Sequence, residues 1–196
     1  MSARLPAAER RQQLLDVALE VFSREGFHQT SMNDIAEAAG VTKPVLYQHF
    51  GSKRDLFGEL LREVGDRMRV EIGKATAGAA GPREQVVEGM RAYFHWVDRH
   101  RAGFDILFAG ETRRDPEFLK EAGRVERDMA ATVGSLIVVD GLDTERQRLL
   151  GQAIVGMAEA VCRYWIASGK DLPVDELAEQ VAELAWKGLR GLRPAS

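Results

Sequence analysis

The sequence predicts an all-α fold in which a three-helix helix-turn-helix head precedes six further helices. Three observations carry this. Apolar residues recur at three- and four-residue spacing along most of the chain, the period of a half-buried helix. Glycines, capping residues and prolines fall between those runs, where helix ends and starts need them. Sustained period-two alternation is missing. Ser135–Asp140 (SLIVVD) is the nearest approach to a strand, and it continues a helical pattern.

The first helix is predicted over Ala7–Glu25. Leu14, Ala18 and Phe22 repeat at four-residue spacing, and Leu15, Val17 and Val21 widen the stripe. Gly26 follows as a left-handed stop. Ser31 opens the second helix, and Asp34 three residues on completes a capping box. Met32, Ile35, Ala36 and Ala39 make its inner face, and Gly40 ends it. Thr42 is expected to cap the third helix. Pro44 lies in its first turn, where a missing N–H costs little. Leu46 and Phe50 face inward, Gly51 closes the helix, and Ser52 with Asp55 offers a second capping box. The link Ala39-Gly40-Val41-Thr42 has the length of the tight turn in a helix-turn-helix, with Val41 as its buried plug.

The fourth helix is expected to reach about Ala75. A small, Gly-rich loop, Ala75–Pro82, precedes a fifth over Arg83–His100, with Val86, Met90, Tyr93, Phe94 and Val97 inward. A short helix over Phe104–Gly110 comes next, then a seventh over Pro116–Val139, stopped by Asp140-Gly141. An eighth is read over Thr144–Ser168 and a ninth over Val174–Leu192. The chain therefore divides into a helix-turn-helix domain, 1–53, and a six-helix domain, 54–196.

Composition bounds the function. With 45% hydrophobic and 29% charged residues, the chain reads as soluble and globular. Its apolar runs fall far short of the roughly 20 residues of a membrane helix, and Met1–Arg11 is too polar for a secretory signal. One cysteine, Cys162, allows no internal disulfide and no cysteine-based zinc site, which fits a reducing cytoplasm. His28, His49, His95 and His100 form no His-Glu-x-x-His pattern, and no Gly-rich phosphate loop or nucleophile elbow is present, so no catalytic residue, metal or cofactor is expected. Residues 1–54 carry seven Lys/Arg and six Asp/Glu, net +1, whereas the other 142 residues carry twenty and twenty-four, net −4. A local basic face on an acidic body can still bind nucleic acid.

In a helix-turn-helix the second helix enters the major groove with its N-terminal residues on base edges. Those are Thr42, Lys43, Pro44 and Val45. Lys43 can donate to guanine, Thr42 can donate or accept, and Pro44 and Val45 can meet a thymine methyl. Gln48, one turn on, can read adenine. Tyr47 and His49 flank this face and suit phosphates; Lys53, Thr30 and Ser31 sit at helix N-termini that favour an anion. Asn33 can reach a base or a phosphate. Ser31 and Ser52 are caps in either case.

The run Thr30–Lys53, TSMNDIAEAAGVTKPVLYQHFGSK, resembles the DNA-binding signature of the tetracycline-repressor (TetR) family, with its IAEAAGV helix, KPVLYQHF recognition helix and SK opening. The resemblance implies a three-helix DNA-binding head on a homodimer, and a ligand-binding body, in most members repressing until a small molecule binds. By motif position it assigns base reading to Lys43, Pro44, Val45 and Gln48, and phosphate contact to Tyr47, His49, Thr30 and Lys53. Pro44 replaces the Gly or Ser the family often carries after Lys43, a mild departure.

The body offers two further sets. The eighth and ninth helices are apolar on more than one face, so each packs on its own core and on something else. Gly156, Ala160 and Tyr164 with Val181, Leu184 and Gly188 are expected at a dimer seam; intrachain packing is the alternative. Phe94, Phe104, Phe108, Met129, Met157, Cys162 and Trp165 are candidates for a ligand pocket, though most of them also read as plain core, as does Phe118. An apolar pocket suits an apolar effector, a fatty acyl compound being one hypothesis. Glu159 and Arg163, four apart, are read first as a pair to each other. Anchoring a polar ligand group or crossing the seam are the alternatives. The expected partners are thus an operator duplex, a small apolar molecule and a second copy of the chain, with no membrane.

Overall fold

The computed structural model describes residues 6–108, 110–139, 141–169 and 172–191. Its helices are α1 (Ala7–Glu25), α2 (Met32–Ala38), α3 (Lys43–His49), α4 (Lys53–Ala77), α5 (Pro82–Arg99), α6 (Arg101–Phe108), α7 (Gly110–Arg114), α8 (Pro116–Ser135), α9 (Thr144–Ser168) and α10 (Val174–Arg190). No strand occurs among the described residues. The all-α prediction stands, and most boundaries fall within a few residues of those read from the pattern. Two differ more. The predicted sixth helix starts three residues earlier, at Arg101, and a separate turn, α7, follows it. The predicted seventh helix ends at Ser135, short of Val139: Gln147 Nε2 donates to Ile137 O (3.0 Å) and holds that stretch as a connection. Asp140 and Leu192, predicted breakpoints, lie outside the described residues.

The chain packs as two compact units, 1–65 with 101–122, and 66–100 with 123–196. In the first, α1 buries Leu14, Leu15, Ala18, Val21 and Phe22. It ends at Gly26, whose φ of 81° excludes most side chains. The Ser31–Asp34 capping box is complete: Asp34 N–H donates to Ser31 Oγ (3.2 Å) and Ser31 N–H to Asp34 Oδ2 (2.8 Å). The end of α2 closes as a Schellman motif. Gly40 takes φ 63°, Val41 N–H donates to Ala36 O and Gly40 N–H to Glu37 O, both at 3.0 Å. Val41 is half-buried, a looser plug than its pattern predicts. Thr42 occupies the N-cap of α3 but its hydroxyl makes no capping bond; its carbonyl accepts from Val45 and Leu46 instead. Ser52 Oγ accepts from Asp55 N–H (3.0 Å) to start α4.

Four rings form the centre of this unit. Phe27 lies 5.9 Å from Phe22, 5.0 Å from Phe57 and 4.8 Å from Phe118, and Phe57 lies 4.5 Å from Phe118. Ring contacts of these kinds, one stacked and the others edge-on or tilted, add to plain burial. Arg54 fixes the same region from outside: its guanidinium donates to Asp115 (2.9 and 3.0 Å) and Glu117 (3.0 Å) and covers the Phe118 ring at 4.8 Å. Helix α6 packs on α1, and buried Thr112 donates to Ile106 O (2.7 Å), tying α7 to α6.

The second unit is assembled differently. Helix α10 lays Leu177, Ala178, Val181, Ala182 and Ala185 inward and packs along α5. Arg83–Glu183 (3.5 Å) and His95–Asp175 (2.8 Å) pair the two helices at the rim. Helices α8 and α9 meet backbone to backbone. A Cβ on Gly151 would stand 2.1 Å from Ala130 O, and one on Gly134 2.6 Å from Gln147 O. Trp165 Nε1 donates to Leu172 O (3.1 Å), fastening α9 to the approach to α10.

Candidate nucleic-acid interface

The α3 helix sorts its residues onto two faces. Leu46 and Phe50 are buried, while Thr42, Lys43, Pro44, Tyr47 and Gln48 are exposed and Val45 and His49 half-buried. Lys43 Nζ lies 5.9 Å from the centre of the Tyr47 ring, as the i, i+4 spacing dictates. The exposed set brings a cation, two hydrogen-bonding side chains, an amphipathic ring and an apolar proline to one surface. Ser31 and Asn33 are exposed in the first turn of α2, where the free N–H groups favour anions. The capping bonds hold the Asp34 carboxyl below the usual carboxylate range: first the backbone N–H of Ser31, then its hydroxyl.

Two predicted phosphate contacts are placed elsewhere. Thr30 is 2% exposed and its hydroxyl donates to Gly26 O at 2.8 Å. Lys53 donates to Phe27 O and Thr30 O, both at 2.7 Å, and its ammonium sits 4.4 Å from the Phe27 ring centre. An ammonium has three donors, and here two carbonyls and a ring face engage it. Both side chains thus hold the turn between α1 and α2, Thr30 from a buried position and Lys53 from a half-buried one. Sequence reasoning also missed two residues. Arg11 pairs with Glu59 and covers the Phe50 ring at 4.5 Å, supporting the end of α3. Arg54 joins α4 to residues 61 and 63 positions away, a pairing no local pattern announces.

Of the ligand-pocket candidates, Phe104 and Phe108 belong to the first unit, their rings 4.7 Å apart. The other five lie in the second unit. Phe94, Met129 and Cys162 are buried there, and Met157 and Trp165 half-buried. Of the seam candidates, Ala160, Tyr164, Leu184 and Gly188 are exposed and Gly156 is half-buried. Val181 is a correction. It is 6% exposed, on the α10 face packed inside the protomer, because the inward stripe runs through 177, 178, 181, 182 and 185. Glu159 and Arg163 form the ion pair that their spacing predicts.

A helix-turn-helix head carrying this face, in a chain whose described residues form helices and no strand, defines a DNA-binding regulator. The family model described as "Bacterial regulatory proteins, tetR family" matches residues 14–60, and that of the "Tetracyclin repressor-like, C-terminal domain" matches 82–188. The HTH-type transcriptional activator FasR of Mycolicibacterium smegmatis is 32% identical over 187 residues, covering 95% of this chain and 85% of that protein. A TetR-like transcriptional regulator from Rhodococcus sp. RHA1 superposes with a TM-score of 0.74 at 33% identity, covering 96% of this chain and 100% of that one. The regulator FadR from Bacillus subtilis, solved in complex with stearoyl-CoA, shares the fold (TM-score 0.76, 20% identity, 93% of this chain and 99% of that one). The chain belongs to the tetR family and is a DNA-binding transcription regulator. No described helix is long and apolar enough to cross a membrane.

Proposed function

We propose that this regulator acts as a homodimer on a near-palindromic operator and is released from it by a small apolar ligand, a fatty acyl compound being the first to try. The observation that carries the DNA-reading part is the exposed face of α3. Lys43, Pro44, Val45 and Gln48 read base edges, with Thr42 at the margin. Tyr47 and His49 hold phosphates beside Ser31 and Asn33. One such helix spans only a few base pairs, so useful specificity needs two heads. The exposed apolar and small residues of α9 and α10 supply the surface for a second copy: Tyr164 is 61% and Leu184 62% exposed. In this reading residues 1–53 read DNA and residues 54–196 pair and sense, although 54–65 and 101–122 pack with the head.

The test is selection from random duplex DNA by the full-length protein. The expected product is an inverted repeat with half-sites about one helical turn, or a multiple, apart. Equal affinity for selected and random DNA, with a steep salt dependence, would instead mark a non-specific architectural binder. A second reading has a specific observation behind it: the 32% identical relative from M. smegmatis is named an activator. A promoter fused to a reporter decides between the two. Repression predicts higher output when the gene for this chain is deleted, activation lower.

A further inference from the structure

The two ends of α3 are held by different means. The helix has seven residues, a span of about 10 Å. Its first end is tied through the backbone: Val41 N–H donates to Ala36 O, and Thr42 O accepts from Val45 and Leu46. Its far end is held by side chains. Phe50, where the chain leaves the helix in an extended conformation, is 2% exposed. Arg11 of α1 lays its guanidinium over that ring, 4.5 Å from the centre, and pairs with Glu59 of α4. One side chain thus joins α1, the end of α3 and α4.

The two ends carry different exposed side chains. Lys43 and Pro44 stand in the first turn of α3, Tyr47 and Gln48 in the last. Pivoting a helix of this length by about 3° about its first end moves the other by about 0.5 Å. That is the margin within which a positioned hydrogen bond keeps its geometry. A cation is attracted to the face of a ring and not to its edge, and the guanidinium fork is planar and rigid. Arg11 therefore fixes an orientation at the far end, where the backbone ties of the first end do not reach.

We propose that Arg11 is a positioning residue for sequence discrimination. It acts through Phe50 on the last turn of α3, so the base preference carried by Gln48 depends on it and that carried by Lys43 does not. This rests on the reading that the exposed face of α3 meets base edges. It adds a residue outside that face on which one part of the reading depends. An arginine that served stability alone would weaken both preferences together or neither.

The test selects preferred duplexes from random DNA with full-length wild type, Lys43→Ala, Gln48→Ala and Arg11→Met, the last keeping an apolar stem beside Phe50. Each α3 variant identifies the base position that its own side chain reads. Arg11→Met should lower discrimination at the Gln48 position about tenfold and leave the Lys43 position unchanged. In the Gln48→Ala background it should relax nothing further, and the salt slope of binding should match wild type. Arg11→Lys keeps a cation beside Glu59, and Glu59→Gln keeps the guanidinium; each disturbs the fold less and should relax the same position by a smaller factor. Wild-type preference at the Gln48 position in all three, or equal loss at both positions, overturns the positioning role while leaving α3 as the reader. A salt slope lower by roughly one in Arg11→Met overturns it in favour of a phosphate contact. Wild-type preferences in both Lys43→Ala and Gln48→Ala overturn the reading of α3 and the proposal with it.

Discussion

The two compact units of this chain bury their helices by opposite means. The first fills its centre with large rings, Phe22, Phe27, Phe57 and Phe118, and locks their rim with Arg54 on Asp115 and Glu117. The second leaves side chains out: Gly134 and Gly151 let α8 and α9 touch through their backbones, and alanines line the α10 face. A ring cluster fixes orientation because each ring has few acceptable poses, which suits a platform that must hold α3 at one angle. Backbone contact fixes distance and leaves apolar side chains free to face outward on the same helices.

Removing a ring should do most damage. Phe118→Ala deletes one of the four rings, 2% exposed, and is expected to cost about 3–5 kcal/mol, read as a fall in the urea midpoint together with loss of operator binding. In the second unit the matching experiment adds atoms. Gly151→Ala forces a Cβ to 2.1 Å from Ala130 O and should cost on the order of 3 kcal/mol. Gly156→Ala, on the same helix with nothing within 4 Å, should leave the protomer's melt within about 1 kcal/mol of wild type. Equal melts for the two glycine variants would break the backbone-contact account.

How much of this was legible differs between the units for the same reason. The head reads well because its signals are local. Caps, stops and the turn lie within four residues of what they act on, so Ser31–Asp34 and Gly40 could be placed from the sequence. The ring cluster did not read, since nothing near Phe27 or Phe57 announces Phe118. The exposed face of α3 was legible from periodicity. The inward turn of Thr30 and Lys53 was not, because a helix N-terminus looks equally inviting to a phosphate and to a neighbouring carbonyl. Val181 failed likewise: a helix apolar on two sides does not say which side meets its own chain.

The outward apolar residues of the second unit give the next test. Tyr164→Glu with Leu184→Glu places charges where both side chains are more than half exposed. Helix content should stay, sedimentation should shift from dimer to monomer, and operator affinity should fall on the order of a hundredfold as linked half-site binding is lost. A double variant that remains dimeric would move the seam elsewhere.

Within the head, variants of Lys43 and Lys53 test the proposed separation of reading from holding. Lys43→Ala should weaken the selected operator by about 1–3 kcal/mol and relax one base position. Lys53→Met strands the carbonyls of Phe27 and Thr30 and should cost the fold about 1.5–3 kcal/mol, with the salt slope of DNA binding unchanged. Loss of a phosphate contact would instead lower that slope by roughly one.

The smallest expected effect is a pH dependence at the capping box, and its sign is fixed by the direction of the shift. Asp34 has its carboxyl lowered from 3.8 by the Ser31 backbone and hydroxyl. A carboxyl depressed on folding stabilises fully above its unfolded value and loses that contribution as pH falls through the folded one. Asp34→Asn removes the charge at every pH. Its deficit against wild type should therefore be constant from neutral pH down to the ordinary carboxylate range and shrink below it. Asp115, lowered first by its bond to Arg54, should show the same sign in Asp115→Asn. Because the Arg54 partner is exposed, salt should erase much of the Asp115 contribution, which depends on a cation from another helix. It should spare more of the Asp34 contribution, which is built from backbone geometry one turn long. A salt titration of the two variants at neutral pH distinguishes these origins, and equal sensitivity would mean that Asp34 acts through the nearby Lys53 charge instead of through its cap.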